Sequence, residues 1–473
     1  MSMHKPSGRT MIAAPPRPLG QPGLPKAGPP WAGPLNRRAF LAGAAVLGAS
    51  LVTAGCGSTY DFGSGLTGTS GGAGNSTLVY WNLLSGGDGS HMETMEAAYT
   101  KAHPGVNLES TILTWGNPYY TKLAMAIRSG SPPDVAIMHL SRINEFGPPG
   151  LLTPLSLDLL AAHGMEPKDF TPLAFSKAHF NGRQLAIPLD THPFVQYYNT
   201  RLCHKAGLLD SSGQLPLVTS AQAMLTVLRK LKKLGVTPAV CDQVNDPATA
   251  WRLFYTLYSQ AGGQVLADNG KKVVLDEARA TKVLGFIYQL ATEGLMNANV
   301  DSNGGTALFQ AGDAALYWEG EWEVDVYQAA NLPFSMQPFP ALFGSDVAQA
   351  DSHTFIVPRQ GSADPEKLSM ALTMIRSLLG QSLTWAEGGH IPAWLPVRNS
   401  AAYAKLKPQS NYSSVANHAV YDPPAWYSGS GSDMENYAGA AIGTLMLGSL
   451  TPQAAYAEMR QSFETLSKET VPV

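Results

Sequence analysis

Leu78-Val79-Tyr80-Trp81, then Ser90-His91-Met92-Glu93 with Met95 and Tyr99 behind it, then Val106, Leu108 and Ile112, then Tyr120, Leu123 and Ile127, and last Asp134-Val135-Ala136-Ile137-Met138: this stretch decides the fold. The first run is rich in strand formers, and Ser90 with Glu93 has the spacing of a helix capping box. Met92, Met95 and Tyr99 recur with a helical period, whereas Val106, Leu108 and Ile112 keep the even spacing of a strand face. Tyr120, Leu123 and Ile127 mark a second helix face. The apolar run after Ser131-Pro132-Pro133 reads as a buried strand. Strand, helix, strand, helix, strand predicts a parallel, doubly wound sheet.

Toward the C-terminus the pattern restarts. After Leu185-Ala186-Ile187-Pro188 come a strand from Phe194 to Tyr198 and a helix from Ser220 burying Met224, Leu228, Leu231 and Leu234. Two further helices, around Trp251, Phe254, Leu257 and Tyr258 and around Val283, Leu284, Ile287 and Leu290, lead to a strand at Ala314-Ala315-Leu316-Tyr317-Trp318. The restart marks a second α/β lobe; strands at Phe334 to Phe339 and Thr354 to Val357 and helices from Lys367 to Ser467 complete the chain, with no internal repeat. Trp251 and Trp318 fit helix and strand core spacing and read as structural.

Toward the N-terminus the chain changes character. Ala39 to Ala54 is apolar and free of charge, follows Arg37-Arg38 and stops before Cys56, too short for a bilayer span and suited to a signal core. Asn36-Arg37-Arg38-Ala39-Phe40-Leu41 resembles a twin-arginine export signature, and Val52-Thr53-Ala54-Gly55-Cys56 resembles a lipobox, with Thr53 the one residue off its usual pattern. Residues 1–55 are then a signal peptide, Cys56 is the lipidated residue, and residues 56–75, rich in Gly, Ser and Thr, form a tether.

The 473 residues include 44% hydrophobic and 14% charged residues with a formal net charge of −3. That size sustains more than one lobe, and the charge offers no footprint for nucleic acid. No Cys-x-x-Cys or His-Glu-x-x-His spacing supports a metal site, and no cofactor is implied. Cys203 and Cys241 read equally as a disulfide in an oxidising compartment and as two buried small apolar residues.

Several segments together resemble the extracellular solute-binding proteins of carbohydrate ABC importers, the maltose-binding-protein-like family 1. They are Tyr80-Trp81-Asn82 with Gly86-Gly87-Asp88-Gly89; His103-Pro104-Gly105-Val106; Tyr119-Tyr120-Thr121-Lys122-Leu123 with Ser129 to Val135; Ile187-Pro188-Leu189-Asp190 with Tyr197-Tyr198-Asn199; and Phe309 to Ala315 with Glu319-Gly320-Glu321-Trp322. The resemblance implies a type II periplasmic-binding-protein-like fold, two doubly wound α/β lobes joined by a multi-crossing hinge. Crossings are expected at Ile187 to Asp190, Ala314 to Trp318 and Thr354 to Val357. Lobe 1 is then residues 76–189 plus 319–352, and lobe 2 residues 190–318 plus 353–473.

A pyranose presents apolar faces and a rim of hydroxyls, so its site needs aromatic platforms and hydrogen-bond acceptors. The resemblance places Trp81, Trp115, Tyr119 and Trp322 at the cleft as platforms. Asp88 in its glycine-flanked loop, His139 after the third strand, and Asp190 and His192 at the first crossing supply polar contacts, joined by Glu319, His353 and Trp394. The implied function is capture of a sugar or oligosaccharide by hinge closure and delivery to an ABC importer permease. The protein would act as a monomer on the outer face of the cell membrane, not as an enzyme, in a Gram-positive type envelope. The alternatives are a glycerophosphodiester or polyol on the same fold, for which Arg398 is the candidate cation, a glycoside hydrolase using Asp88 with Glu319 or Glu321, and a lipid-anchored adhesion protein.

Overall fold

A computed structural model describes residues 76–471; the expected signal segment, Cys56 and its tether lie outside them. The opening stretch folds as its periodicities dictate. Strand Ser76–Asn82 pairs in parallel with Val106–Ile112 on one side and Val135–His139 on the other. Helix Gly89–Ala102 buries Met92, Met95 and Tyr99, and helix Asn117–Arg128 buries Tyr119, Tyr120, Leu123 and Ile127. Val135–His139 is buried throughout, as a central strand covered on both faces must be. The first sheet runs in the order Val106–Ile112, Ser76–Asn82, Val135–His139, His353–Ile356, Ile187–Pro188.

The expected capping box is displaced. Gly89 opens the helix with Asp88 at its N-cap, Ser90 lies in the first turn, and the Asp88 carboxylate makes no cap bond. A side chain on residue 89 would run into the Leu84 carbonyl, so only glycine lets the chain turn this tightly into the helix. Asp88 is thereby released for another partner.

The second sheet is built on Asp190–Asn199, ten residues, all buried. Ala314–Gly320 and Phe334–Pro338 flank it antiparallel, and Thr237–Val240 and Met296–Asn297 extend the order beyond Ala314–Gly320. Ala350–Asp351 and Ile391–Pro392 also pair with the N-terminal part of Asp190–Asn199. Helices Asp433–Met446 and Pro452–Leu466 pack on Ala248–Gln260 and Glu277–Thr292 over this sheet. Cys203 and Cys241 are both buried free thiols, and burial pushes Cys203 up to about 12.

This pairing corrects the expected partition. Phe334–Pro338, assigned to lobe 1 as part of 319–352, belongs to the second sheet. His353–Ile356, assigned to lobe 2, belongs to the first. The cause is long-range: the buried strand Asp190–Asn199 needs partners on both edges, and Phe334–Pro338 fills the one Ala314–Gly320 leaves open. Helices Pro365–Gly380 and Ser382–Glu387 then pack on Gly89–Ala102 before the chain returns through Ile391. The chain therefore passes between sheets at Leu189, at Ser352 and at Gly389-His390, and Ala314–Gly320 is no crossing.

The three passages are tied at one side chain. The fully buried Asp190 carboxylate accepts the His353 backbone N–H at 2.8 Å, His353 Nδ1 at 2.8 Å, His192 Nδ1 at 3.1 Å and Trp385 Nε1 at 2.7 Å. Burial alone would raise its pKa, but His353 and His192 outweigh it and hold Asp190 well below the usual carboxylate range.

Two outcomes follow from these buried acids. Asp190→Asn removes an acceptor that four buried donors need, so we expect a loss of about 3–5 kcal/mol of unfolding free energy in denaturant titration; a loss below ~1 kcal/mol contradicts the hub. Glu96, in helix Gly89–Ala102, is raised by burial to about 7. A carboxyl raised on folding stabilises fully below its unfolded pKa and loses that contribution as pH climbs through about 7, so wild-type stability should fall between pH 5 and 8. Glu96→Gln should flatten this fall by about 3 kcal/mol, and an unchanged slope contradicts the assignment.

Candidate functional site

A cleft of about 280 Å³ opens where the strands of both sheets end. Its first wall is Leu83 to Asp88, after strand Ser76–Asn82, with Trp115 and His139 at the ends of the neighbouring strands. The second wall is Asp242 after Thr237–Val240, Glu319 and Trp322 at the end of Ala314–Gly320, and Thr249 and Arg252 on helix Ala248–Gln260. His192 and His353, from two of the passages, form the floor. Carboxyl ends of parallel strands are where α/β sheets hold ligands, because the loops there diverge and helix N-termini point inward.

Acids dominate the lining, and each is held differently. Asp88 is feebly exposed and lies 3.5 Å from His390 Nε2; burial would raise it, but its contact with His390 outweighs this and keeps it ionised. Glu319 Oε2 accepts from Thr249 Oγ1 at 2.7 Å, and Asp242 Oδ1 accepts from Tyr317 O–H at 2.8 Å. Burial and the neighbouring Asp242 push Glu319 far above its usual range, and burial raises Asp242 as well. Burial and Asp88 raise Glu323 to about 7. Burial and His353 press His139 well below its usual pKa and His192 down to about 3, so both rings are neutral.

Arg252 is the single Lys or Arg among the described lining residues, and it is already engaged. It lies 3.4 Å from Glu319, 3.8 Å from Glu435 and 5.1 Å from the centre of the Trp322 ring. Trp322 in turn lies against Gly320, where any side chain would collide with the indole. The guanidinium therefore braces the aromatic platform from within the same wall.

Of the eleven residues singled out from the sequence, Asp88, Trp115, His139, His192, Glu319, Trp322 and His353 line the cleft. Trp81 does not: it sits over a separate surface hollow, with Lys122 5.3 Å from its ring. Tyr119 is buried, its hydroxyl donating to the Ile137 carbonyl at 2.5 Å. Asp190 lies beneath the floor at zero exposure. Trp394 packs on Phe170, with the Arg376 guanidinium 4.6 Å from its ring, and Arg398 is spent on Thr171 and Ser413. Glu321 is fully buried against His390 rather than in the cleft.

Sequence reading missed Asp242, Asp246, Thr249, Arg252, Ser302, Asn303 and Glu323. The strand-end rule that picks out His139 also picks out Asp242, but strand Thr237–Val240 is four residues long with a proline, too brief to be recognised. Arg252 follows core Trp251 inside a helix whose apolar period carries no mark of a polar site residue.

Known proteins are consistent with this architecture. The chain is 24% identical over 265 residues to the maltooligosaccharide ABC transporter solute-binding lipoprotein of Streptococcus pneumoniae serotype 4, an alignment covering 54% of this chain and 57% of that relative. The match thus spans little more than half the length of the relative. The GacH receptor of Streptomyces glaucescens, studied unliganded and with acarbose, superposes with a TM-score of 0.71 at 18% identity, over 84% of this chain and 99% of that one. The maltose-bound MalE3 of T. maritima gives 0.71 at 16% identity, over 83% and 100%. The cyclic alpha-maltosyl-1,6-maltose binding protein of Arthrobacter globiformis gives 0.67 at 18% identity, over 84% and 100%. At these identities the likeness shows a shared fold. The family model of bacterial extracellular solute-binding proteins matches residues 86–379, more than half of the sequence. On that match and on the two-sheet, three-passage architecture, the chain belongs to the bacterial extracellular solute-binding protein family.

Proposed function

We propose that this protein captures a neutral sugar or short oligosaccharide in the cleft between its two lobes and hands it to an ABC importer. The observation that carries the reading is the lining itself: two tryptophans, Trp115 and Trp322, face a space ringed by Asp88, Asp242, Asp246, Glu319 and Glu323, with Arg252 already paired. Sugar hydroxyls donate to carboxylates, and pyranose faces stack on indoles. A phosphate would meet a surplus of acids, which disfavours the glycerophosphodiester alternative. A volume of about 280 Å³ is at the low end for ligand cavities and favours a short saccharide. The named relatives, which carry or were studied with maltooligosaccharides, maltose and acarbose, support the same class.

Mechanistically, ligand touching both walls binds the closed form better than the open one and shifts the population toward it. The moving bodies we propose are lobe 1, residues 76–188 with 353–389, and lobe 2, residues 190–351 with 391–471, hinged at the three passages. Binding requires no turnover, and Glu319 and Asp242 serve as a hydrogen-bonding surface. The twin-arginine motif and Cys56 would place this cleft beside the permease on the outer face of the membrane, held by a lipid and a tether.

Two experiments check these statements. In a thermal-shift screen of mono- and oligosaccharides, polyols and glycerophosphodiesters, a saccharide should stabilise most, and Trp322→Ala should weaken its binding by about 10- to 100-fold while leaving the fold intact. Stabilisation by a glycerophosphodiester alone, or hydrolysis of the stabilising sugar, contradicts the reading. For the anchor, fatty-acid labelling in cells should mark the wild type and not Cys56→Ala, which should appear in the medium; label retained by the variant contradicts lipidation at Cys56.

A further inference from the structure

The three passages bring four metal-ligating side chains to one point. Asp190, His192, His353 and His390 are all buried, and one donor atom from each lies within 4.8 Å of all the others. The Nδ1 atoms of His192, His353 and His390 stand 3.1, 2.8 and 3.5 Å from the Asp190 oxygens. Four donors around a zinc-class ion at about 2.0–2.3 Å are separated by about 3.3–3.7 Å, a spacing that lies between the 2.8 Å of the shortest contact to Asp190 and the 4.8 Å that bounds the whole set.

A second observation points the same way. Both ring nitrogens of His390 and both oxygens of Glu321 are buried with no hydrogen bond in satisfactory alignment, although His390 Nδ1 comes within 2.8 Å of Glu321. His390 also lies 3.5 Å from both Asp88 and Asp190, so three buried carboxylates surround one imidazole, a surplus of negative charge that a divalent cation would offset. His139 packs beside the cluster, its ring 4.9 Å from His353 and 5.3 Å from His192, with its Nδ1 fixed by Tyr120 at 2.7 Å. His192 and His353 also line the cleft, which gives an ion a way in.

We propose that Asp190, His192, His353 and His390 form a binding site for a divalent transition-metal ion of the zinc class, set across all three passages of the hinge. Three imidazoles and one carboxylate select such an ion over calcium or magnesium, which take oxygen ligands. Coordination through Nδ1 moves a neutral ring's proton to Nε2, and the Trp385 N–H continues to bond the Asp190 carboxylate, an outer contact of the kind that orients metal ligands. Because each passage supplies at least one ligand, the ion staples the two lobes at their pivot.

The test uses the mature protein freed of metal with a chelator. Co²⁺ should give a visible absorption band saturating at one equivalent, Zn²⁺ should displace it and raise the melting temperature, and His353→Gln and His390→Gln should each weaken Co²⁺ binding tenfold or more. His163→Gln, on the surface, should leave it unchanged. X-ray absorption on the wild-type zinc form should count three imidazole ligands, a readout that does not depend on any variant folding. No cobalt band with no zinc shift, fewer than three imidazoles, or full binding retained by a folded His353→Gln/His390→Gln double variant overturns the site.

Discussion

One buried carboxylate organises this molecule. Asp190 stands at the first residue of the strand on which the second sheet is built, and it accepts bonds from His353 on the second passage and from Trp385 just before the third. A charge taken out of water is tolerated only when donors surround it, and here the donors come from segments far apart in sequence. The requirement to satisfy Asp190 therefore fixes where the two sheets meet. It also limits how they can move, because passages converging on one point permit bending about that point more readily than sliding.

The cleft inherits its chemistry from this arrangement. With His192 and His353 drawn to Asp190 and His139 held by Tyr120, the floor is a layer of oriented imidazoles with two neutral members. Above it the acids are held in different ways: Asp88 leans on His390, Asp242 accepts from Tyr317, and Glu319 accepts from Thr249 and faces Arg252. A neutral, hydroxyl-rich ligand suits such a surface because it exchanges water hydrogen bonds for protein ones without bringing in a charge.

How much of this could be read in the sequence differs between levels. The first lobe's strands and helices follow the periods of Leu78 to Met138, because each element there is long and one-sided. The partition of the second half was misread because Phe334–Pro338 and His353–Ile356 carry no local mark of which sheet they join; the exposed edge of Asp190–Asn199 and the gap beside Val135–His139 decide it. Within the site, residues following long strands were legible, and Asp242, after the four-residue strand Thr237–Val240, was not. Trp81 was not, although strand alternation sets it on the opposite face from buried Leu78, Tyr80 and Asn82. Tyr119 illustrates another limit: on a helix, only the register tells a core tyrosine from a platform. The hinge cluster had no readable spacing, since its ligands arrive at positions 190, 192, 353 and 390.

A saccharide that touches both walls should draw the two lobes together about the Asp190 hub. Small-angle X-ray scattering of the purified protein, with and without saturating amounts of the saccharide that stabilises it most, tests this directly. The radius of gyration should be smaller in the bound protein, with the shift lost in Trp322→Ala at the same ligand concentration. An unchanged radius in a demonstrably saturated wild-type sample would contradict it.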